Sequence, residues 1–384
     1  MKILFGADVS FNYIEGEVTR ERAEKVMKNT SKVFRNADFS IINLENMMGD
    51  KEKYEPIVKT GPNLISDDSF MNYIDVLKPS ALGLANNHLF DYGTGCFHYT
   101  RDLLKKKGYL FAGAGDNIDE AYEPIVFEKD GKKVAIICIC ENEYGIAELN
   151  KAGSAGYQLG RTTKAIKTAI ENDMMPIVFF HGGNEYNPYP SPYKVELYRH
   201  FIDIGAKAVF AMHTHCPQGY EYYNDSPIVY SMGNFYFPEN GNAPSWSYGY
   251  MTLLDTDTLK LDIIPFNFDF ENHNVLEGEE KEKFMKYIEF ISKDYNDEAK
   301  MREYFDSWTH ISGFPAYLNF VTYSKDMLDC NQEKIKELKN IFSCEAHNEL
   351  IESCTKIIYD NALESSKKYV AHIRKLMDME IPED

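Results

Sequence analysis

Short apolar segments alternate with amphipathic helical segments along the first two-thirds of this 384-residue chain. The apolar segments are rich in Val, Ile and Phe, and several are apolar throughout, which is typical of strands covered on both faces. Alternation of this kind predicts an α/β fold with buried sheets inside and helices outside. The predicted strands are residues 2–9, 39–44, 81–85, 133–140, 176–180, 207–212, 227–231, 250–254 and 259–265.

The segments between these strands have helical periodicity. Ala23, Val26, Met27, Thr30 and Phe34 recur at intervals of three and four residues, which predicts one helix over residues 20–34. Further helices are predicted over residues 95–107, 161–172 and 193–204. Each would pack its apolar face on a sheet.

The pattern changes from about residue 269. Residues 277–306 and 331–379 are charged and favour helices, and residues 316–323 give a strand signal between them. The length alone would allow two or three domains, or one large α/β domain with an appendage. We divide the chain into an α/β domain of residues 1–270 and a mainly helical C-terminal extension of residues 271–384.

Polar residues gather where the predicted strands end, which is where α/β sheets place their functional sites. Five strands each end in a carboxylate, an amide or an imidazole. The residues concerned are Asp8, Glu45, Asn87 with His88, His181 with Glu185, and the pair His213 and His215.

The His213-x-His215 pair leaves an apolar strand at alternate positions, so strand geometry would point both imidazoles the same way. Two polar residues in a turn would give the same short pattern. With His181, Asp8, Glu45 and Asn87 at other strand ends, the set is a mixed nitrogen and oxygen ligand set for Mn²⁺, Fe²⁺ or Zn²⁺. The sequence therefore predicts a site for one or two divalent cations.

His88 and Asp91 form a second unit. A histidine beside a metal-binding asparagine could donate a proton to a leaving group, and a carboxylate three residues later could orient its ring. Alternatively, His88 starts a helix that Asp91 caps. The residues predicted to contact the substrate are Lys59, Asn86, Glu185 and Asn234.

The charge of the chain limits its partners. The 41 Lys and Arg residues against 60 Asp and Glu residues give a formal net charge of −19. This charge argues against binding to nucleic acids and adsorption to anionic membranes. It would also disfavour an anionic substrate, unless a metal ion or a cluster of basic residues reverses the field at one site.

The N-terminal segment lacks the long apolar region of a secretory signal, and the longest apolar run, near residues 134–140, is too short to span a bilayer. The seven cysteines include no CxxC pair and are typical of reduced core residues. We therefore expect a cytoplasmic protein that does not insert into membranes. The sequence does not indicate an oligomeric state.

Four motifs occur in a fixed order: ANNHxxD at residues 85–91, HxGxEY at 181–186, HxH at 213–215 and YSxGNF at 230–235. Their combination, together with Gly6-Ala7-Asp8 and the Asn-Leu-Glu ending at Glu45, resembles the poly-γ-glutamate capsule biosynthesis (CapA-like) family over about residues 1–266. That family is related to the calcineurin-like metallophosphoesterases. The resemblance implies a four-layer α/β/β/α sandwich, with the helical extension outside the recognised region.

The resemblance also implies roles for the strand-end residues. Asp8 and His215 would bind one metal ion, and Glu45 would bridge two. The second ion would be bound by Asn87, His181 and His213, while His88 would donate a proton with Asp91 as its partner. Ser10 stands where the metallophosphoesterases usually have a ligand histidine, so one of the two sites would lack a ligand.

The implied activity is metal-dependent hydrolysis of a phosphoester, or of an amide in an acidic polymer such as poly-γ-glutamate. The alternative is a non-catalytic, metal-stabilised protein that binds a capsule or cell-envelope polymer or an assembly partner. A third possibility is a degenerate domain without metal, in which the proposed ligands would lie far apart.

Overall fold

The computed structural model describes residues 1–317 and 332–383. Its strands, in chain order, are β1 Lys2–Val9, β2 Phe39–Leu44, β3 Met47–Met48, β4 Ile65–Ser66, β5 Ala81–Gly83, β6 Leu110–Ala112, β7 Ala114–Gly115, β8 Ile125–Lys129, β9 Lys132–Cys140, β10 Gly153–Ser154, β11 Met174–His181, β12 Ala208–Met212, β13 Tyr220–Tyr223, β14 Ser226–Val229, β15 Asn234–Tyr236, β16 Tyr248–Asp255, β17 Leu261–Phe268 and β18 His273–Val275.

The helices, in the same order, are α1 Arg20–Val26, α2 Thr30–Arg35, α3 Met71–Leu77, α4 Gly93–Lys107, α5 Ile118–Ala121, α6 Leu159–Glu171, α7 Pro192–Asp203, α8 Gly278–Ser292, α9 Glu298–Trp308, α10 Phe314–Tyr317, α11 Gln332–Ser343, α12 Glu345–Tyr359 and α13 Val370–Met377. Among the described residues, no helix is long and apolar enough to cross a membrane.

Two large mixed sheets form the centre of the molecule. The first has eight strands in the order β18-β17-β16-β1-β2-β5-β6, with β15 paired to β1 outside this path. The second has six strands in the order β13-β14-β12-β11-β9-β8. The strands β1, β2 and β5 run parallel in one sheet, as do β9, β11 and β12 in the other. Their carboxyl ends can therefore meet at a common edge.

The two sheets pack face to face. The rings of Phe5 on β1 and Phe210 on β12 stack with their centroids 3.9 Å apart, and Phe39 stacks on Phe127 at 4.5 Å. The helices α2 and α4 contact the first sheet, while α6 and α7 contact the second. The predicted four-layer α/β/β/α sandwich is thereby confirmed.

The elements after β18 are helical wherever the structure describes them. The helix α8 packs on β13 and β17, and α9 contacts both α7 and α13. Phe305, Trp308, Leu350 and Ile373 form a small apolar core of their own among these helices. The predicted helical extension is present, while the domain boundary at residue 270 stays a prediction.

One predicted helix is divided in the structure. The single helix expected over residues 20–34 is two helices, α1 and α2, because the chain turns at Met27–Asn29. The buried Thr30 hydroxyl lies 2.7 Å from Nδ1 of His273 on β18, a tertiary contact that periodicity does not reveal. The predicted strand at 316–323 lies mostly outside the described residues, and its first two residues belong to α10.

Candidate metal centre

The polar strand ends meet at one edge of the sandwich. Asp8 lies near the end of β1, Glu45 directly follows β2, and His181 is the last residue of β11. His213 directly follows β12, and Asn87 lies in the loop after β5. The parallel strands of both sheets thus bring the predicted ligands together. This agrees with the strand-end rule, by which α/β sheets place their functional sites at the carboxyl ends of the strands.

Glu45 lies at the centre of this group. Its side chain is fully buried, and neither carboxylate oxygen has a hydrogen-bond partner among the described residues. Burial and the neighbouring carboxylates of Asp8 and Glu185 raise the pKa of Glu45 well above its ordinary value. A carboxylate left unpaired in a buried place is costly unless a cation compensates it. Glu45 therefore fits a metal ligand.

Two sets of ligand atoms share Glu45. Atoms of Glu45, His181 and His213 lie within 4.8 Å of one another, and so do atoms of Asp8, Glu45 and His215. All five residues are buried. A carboxylate common to two sets can bridge two cations, so the donors present fit one or two divalent ions.

Hydrogen bonds orient Asp8 and the histidine ligands. Asn43 donates to Oδ1 of Asp8 at 2.7 Å, and the backbone N–H of His213 donates to Oδ2 at 2.8 Å. The Nδ1 of His215 lies 2.7 Å from the amide oxygen of Asn234, to which it can donate. Such partners fix the tautomer and the ring orientation of a histidine ligand.

The two histidines of the HxH motif differ from the expected strand geometry. The strand β12 ends at Met212, and His213 and His215 have φ values of 95° and 55°. Non-glycine residues adopt these left-handed conformations rarely, and they are concentrated at functional sites. The rings nonetheless lie 5.9 Å apart, because the turn rather than strand alternation brings them together.

Burial, together with the nearby His181 and His215, lowers the pKa of His213 well below its ordinary value. The imidazole is therefore neutral at physiological pH, which is the form that binds metals. His181 contacts Asn87 through Nε2 at 3.0 Å and Asp8 through Nδ1 at 3.2 Å. Asn87 thus lies within the same polar group.

His88, Asp91 and Lys59 form a buried unit beside this group. The Nδ1 of His88 is 2.7 Å from Oδ2 of Asp91, and Lys59 Nζ is 2.5 Å from Oδ1 of Asp91. The Nε2 of His88 lies 3.8 Å from Glu45 Oε1. Burial and the adjacent Lys59 lower the pKa of His88 to about 4. Asp91 does not cap a helix, since α4 begins at Gly93 without a side-chain cap.

The four residues predicted to contact the substrate fall into two groups in the structure. Lys59 and Glu185 line a cavity of about 280 Å³ beside the metal centre. Asn86 instead donates to the Leu44 carbonyl and accepts from the His88 backbone, within the protein. Asn234 orients His215, as described above. The geometry of the last two favours positioning over substrate contact.

Ser10 does not belong to either set of ligand atoms. Its hydroxyl is buried and donates to Oδ1 of Asn46 at 3.1 Å. The imidazole of His215, which does belong to one set, packs near Trp246, with ring centroids 4.6 Å apart.

Sequence reasoning missed two residues at the cavity. Glu143 accepts from the Asn87 amide at 3.0 Å and lies 3.6 Å from His213 Nε2. It follows β9, another parallel strand, so the strand-end rule could have found it. His347 of α12 also lines the cavity, and only its position in a Cys-x-x-His segment of the extension could have indicated it.

Comparison with known proteins gives a consistent result. A family model described as Bacterial capsule synthesis protein PGA_cap matches residues 2–239. The capsule biosynthesis protein CapA of Bacillus anthracis is 26% identical over 264 residues, which cover 66% of this chain and 64% of that protein. The PGA biosynthesis protein CapA of Bacillus subtilis (strain 168) is 25% identical over 230 residues, 59% of this chain and 60% of that protein. This chain thus spans less than two thirds of either relative.

Among solved structures, the 5'-nucleotidase precursor from Thermus thermophilus aligns with 72% of this chain and 54% of its own. The sequence identity is 13% and the TM-score is 0.37. At this level of similarity, the fold assignment rests on the two sheets described above.

Proposed function

Because this chain belongs to the bacterial capsule synthesis protein family PGA_cap, we propose that it is a metal-dependent hydrolase of the capsule or cell envelope. Its substrate would be a phosphoester, or an amide of an acidic polymer such as poly-γ-glutamate. The metal would be Mn²⁺, Fe²⁺ or Zn²⁺, according to the mixed nitrogen and oxygen donors.

The observation that carries this proposal is the fully buried carboxylate of Glu45, which lies among Asp8, His181, His213 and His215 and has no hydrogen-bond partner in the described part of the chain. A divalent cation bound there would activate water and stabilise negative charge in the transition state. Asp8, Glu45, His213 and His215 would hold it, with His181 and Asn87 completing the set.

His88 would move the proton. Since burial and Lys59 lower its pKa to about 4, His88 is neutral at pH 7 and its Nε2 can accept a proton. His88 Nδ1 lies 2.7 Å from Asp91 Oδ2 and 2.9 Å from Lys59 Nζ. In the proposed mechanism Nδ1–H donates to Asp91, which keeps the ring oriented while Nε2 takes a proton from water and passes it to the leaving group. The 3.8 Å between His88 Nε2 and Glu45 Oε1 places this nitrogen at the edge of the metal centre.

The charge of the cleft explains how an acidic substrate could bind. Asp8, Glu45, Glu143 and Glu185 bring four carboxyl groups to the cleft, and the Lys59 ammonium is paired with Asp91. Divalent cations bound among them would offset the negative charge of these groups. Anionic substrates should therefore bind only to the metal-loaded protein.

Replacement of a ligand tests the proposal. Purified protein loaded with Mn²⁺ or Zn²⁺ is assayed on a phosphate monoester, a phosphate diester, a γ-glutamyl anilide and poly-γ-glutamate. His213→Ala should lower both metal content and turnover, the latter by more than about 100-fold, because a ligand contributes more than the groups that orient it. His98→Ala, on the exposed face of α4, is the matched control. Hydrolysis that persists in metal-free protein would contradict the proposal.

A second candidate function is non-catalytic binding of the same class of polymer, favoured by the loss of a ligand at Ser10. The two functions differ in the variant His88→Ala. A hydrolase should retain its metal and lose turnover by about 10²–10⁴-fold. A binding protein should show unchanged polymer affinity and no turnover to lose, as measured by equilibrium binding and product release.

A further inference from the structure

A second group of potential metal ligands lies beside the metal centre, where the C-terminal helices meet the loop after β9. Its members are Glu143 of that loop, Cys344 at the start of α12, and His347 one turn further along. One ligand atom from each lies within 4.8 Å of the other two. Cys344 Sγ is 3.6 Å from Glu143 Oε1, and His347 Nε2 is 3.8 Å from the same oxygen.

Hydrogen bonds hold the first turn of α12 against the sandwich. The side-chain amide of Asn142 donates to Oε1 of Glu345 at 2.7 Å, and its backbone N–H donates to Oε2 at 3.2 Å. Asn184 donates to the Ala346 carbonyl at 3.0 Å. The two potential ligands on α12 are therefore fixed relative to the loop that carries the third.

Asn340 of α11 supplies an independent sign of a ligand. Its side chain is 3% exposed, and its Oδ1 has no hydrogen-bond partner within the described part of the chain. Its Nδ2 lies 3.3 Å from Nδ1 of His347. This contact lies at Nδ1 of the ring, whereas Nε2 is the nitrogen that lies 3.8 Å from Glu143 Oε1 and so faces the other potential ligands.

The surroundings of Cys344 also favour a cation. The side chain is fully buried, and its Sγ lies 3.6 Å from Glu141 Oε2 as well as from Glu143 Oε1. Glu141 is already paired with Lys194 through its other oxygen. A positive ion at this point would compensate Glu143 and a thiolate together.

We propose that Glu143, Cys344 and His347 bind Zn²⁺ at a site separate from the cations held around Glu45. Zn²⁺ takes thiolate, imidazole and carboxylate ligands together, whereas Mg²⁺ and Ca²⁺ select oxygen. Three protein ligands leave a fourth position for water, and Glu143 and His347 both line the cavity from which water would come. The ion would link the helical extension to the functional edge of the sandwich.

Cobalt substitution tests this site in the full-length protein. Co²⁺ bound to a thiolate gives an intense near-ultraviolet charge-transfer band, while the donors around Glu45 contain no sulfur. The apoprotein is titrated with Co²⁺, and Zn²⁺ is then added to displace it. The wild type should show the band, Cys344→Ser should lose it together with one equivalent of bound metal, and Zn²⁺ should abolish it.

Matched variants show which cysteine gives rise to the charge-transfer band. Cys354→Ser, another buried cysteine of α12, should keep it, as should Cys216→Ser next to the HxH motif. His347→Ala, whose side chain is 25% exposed, should weaken Co²⁺ binding at this site at least about tenfold even if Cys344→Ser does not fold. His213→Ala should retain the band while losing metal at Glu45, so the two sites are tested independently. Absence of the band in wild type, or its loss in Cys216→Ser instead, would overturn the proposal.

Discussion

His273 on β18 illustrates what burial does to a single titratable residue away from the metal centre. Its side chain is buried, Nε2–H donates to the Phe235 carbonyl at 2.9 Å, and Nδ1 lies 2.7 Å from the Thr30 hydroxyl. The neutral ring thus satisfies both nitrogens. Burial lowers its pKa from 6.5 to about 4.

This pKa predicts a pH-dependent stability. The unfolded chain binds more protons than the folded one between about pH 4 and 6.5, so the free energy of unfolding should fall as the pH decreases through that range. The loss attributable to His273 should approach about 3 kcal/mol at pH 4. Urea denaturation of wild type and His273→Phe at several pH values measures it. A stability difference between them that does not change with pH would contradict the account.

Residue types and their order indicated most of the metal centre. The strand-end rule located Asp8, Glu45, Asn87, His181, His213 and His215, which the structure places together. It did not separate ligands from the groups that orient them, because Asn86 and Asn234 differ only in tertiary hydrogen bonds. Their contacts with substrate stay predictions, as do the roles of the predicted ligands.

At the scale of elements, a buried ion pair joins α7 to the end of β9. Lys194 of α7 and Glu141 are 2% and 3% exposed, and the Lys194 Nζ contacts Glu141 Oε1. The ammonium also lies 4.8 Å from the centroid of the Phe180 ring. Such a pair stabilises little relative to apolar residues, but removing one partner leaves a buried charge.

We therefore expect Lys194→Met to lower the free energy of unfolding by about 3–5 kcal/mol. The double variant Lys194→Met/Glu141→Gln should recover most of that loss, because no charge is left unpaired. Urea denaturation of both variants measures the difference. Lys129→Met, which removes an exposed pair with Asp38, is the control and should change stability little. A double variant as unstable as the single one would contradict this role.

The central strands were predictable because they are apolar on both faces. Strands β1, β2, β9, β11 and β12 lie close to their predicted bounds. The short edge strands β6 and β13 were missed, since half-exposed segments of three or four residues carry little hydrophobic pattern. Thr30, the first residue of α2, contacts His273 some 240 positions later, and local periodicity does not encode such a contact.

Over the whole molecule, the acidic residues behind the formal net charge of −19 lie in two different environments. Most acidic side chains lie on exposed faces, whereas Asp8, Glu45 and Glu141 are buried. Glu143 and Glu185 add two more carboxylates at the cavity. Glu141 is paired with Lys194, whereas neither oxygen of Glu45 has a hydrogen-bond partner among the described residues. A cation bound at Glu45, as proposed, should therefore also stabilise the folded state.

Anomalous diffraction from crystals grown with Mn²⁺ tests the proposed metal binding at Glu45 most directly. The account predicts a strong difference peak about 2.2 Å from a carboxylate oxygen of Glu45, within the group of Asp8, His181, His213 and His215. A second peak on the other side of Glu45 would establish a bridged pair. Mn²⁺ found only at surface carboxylates, with none within about 3 Å of Glu45, would contradict the central claim.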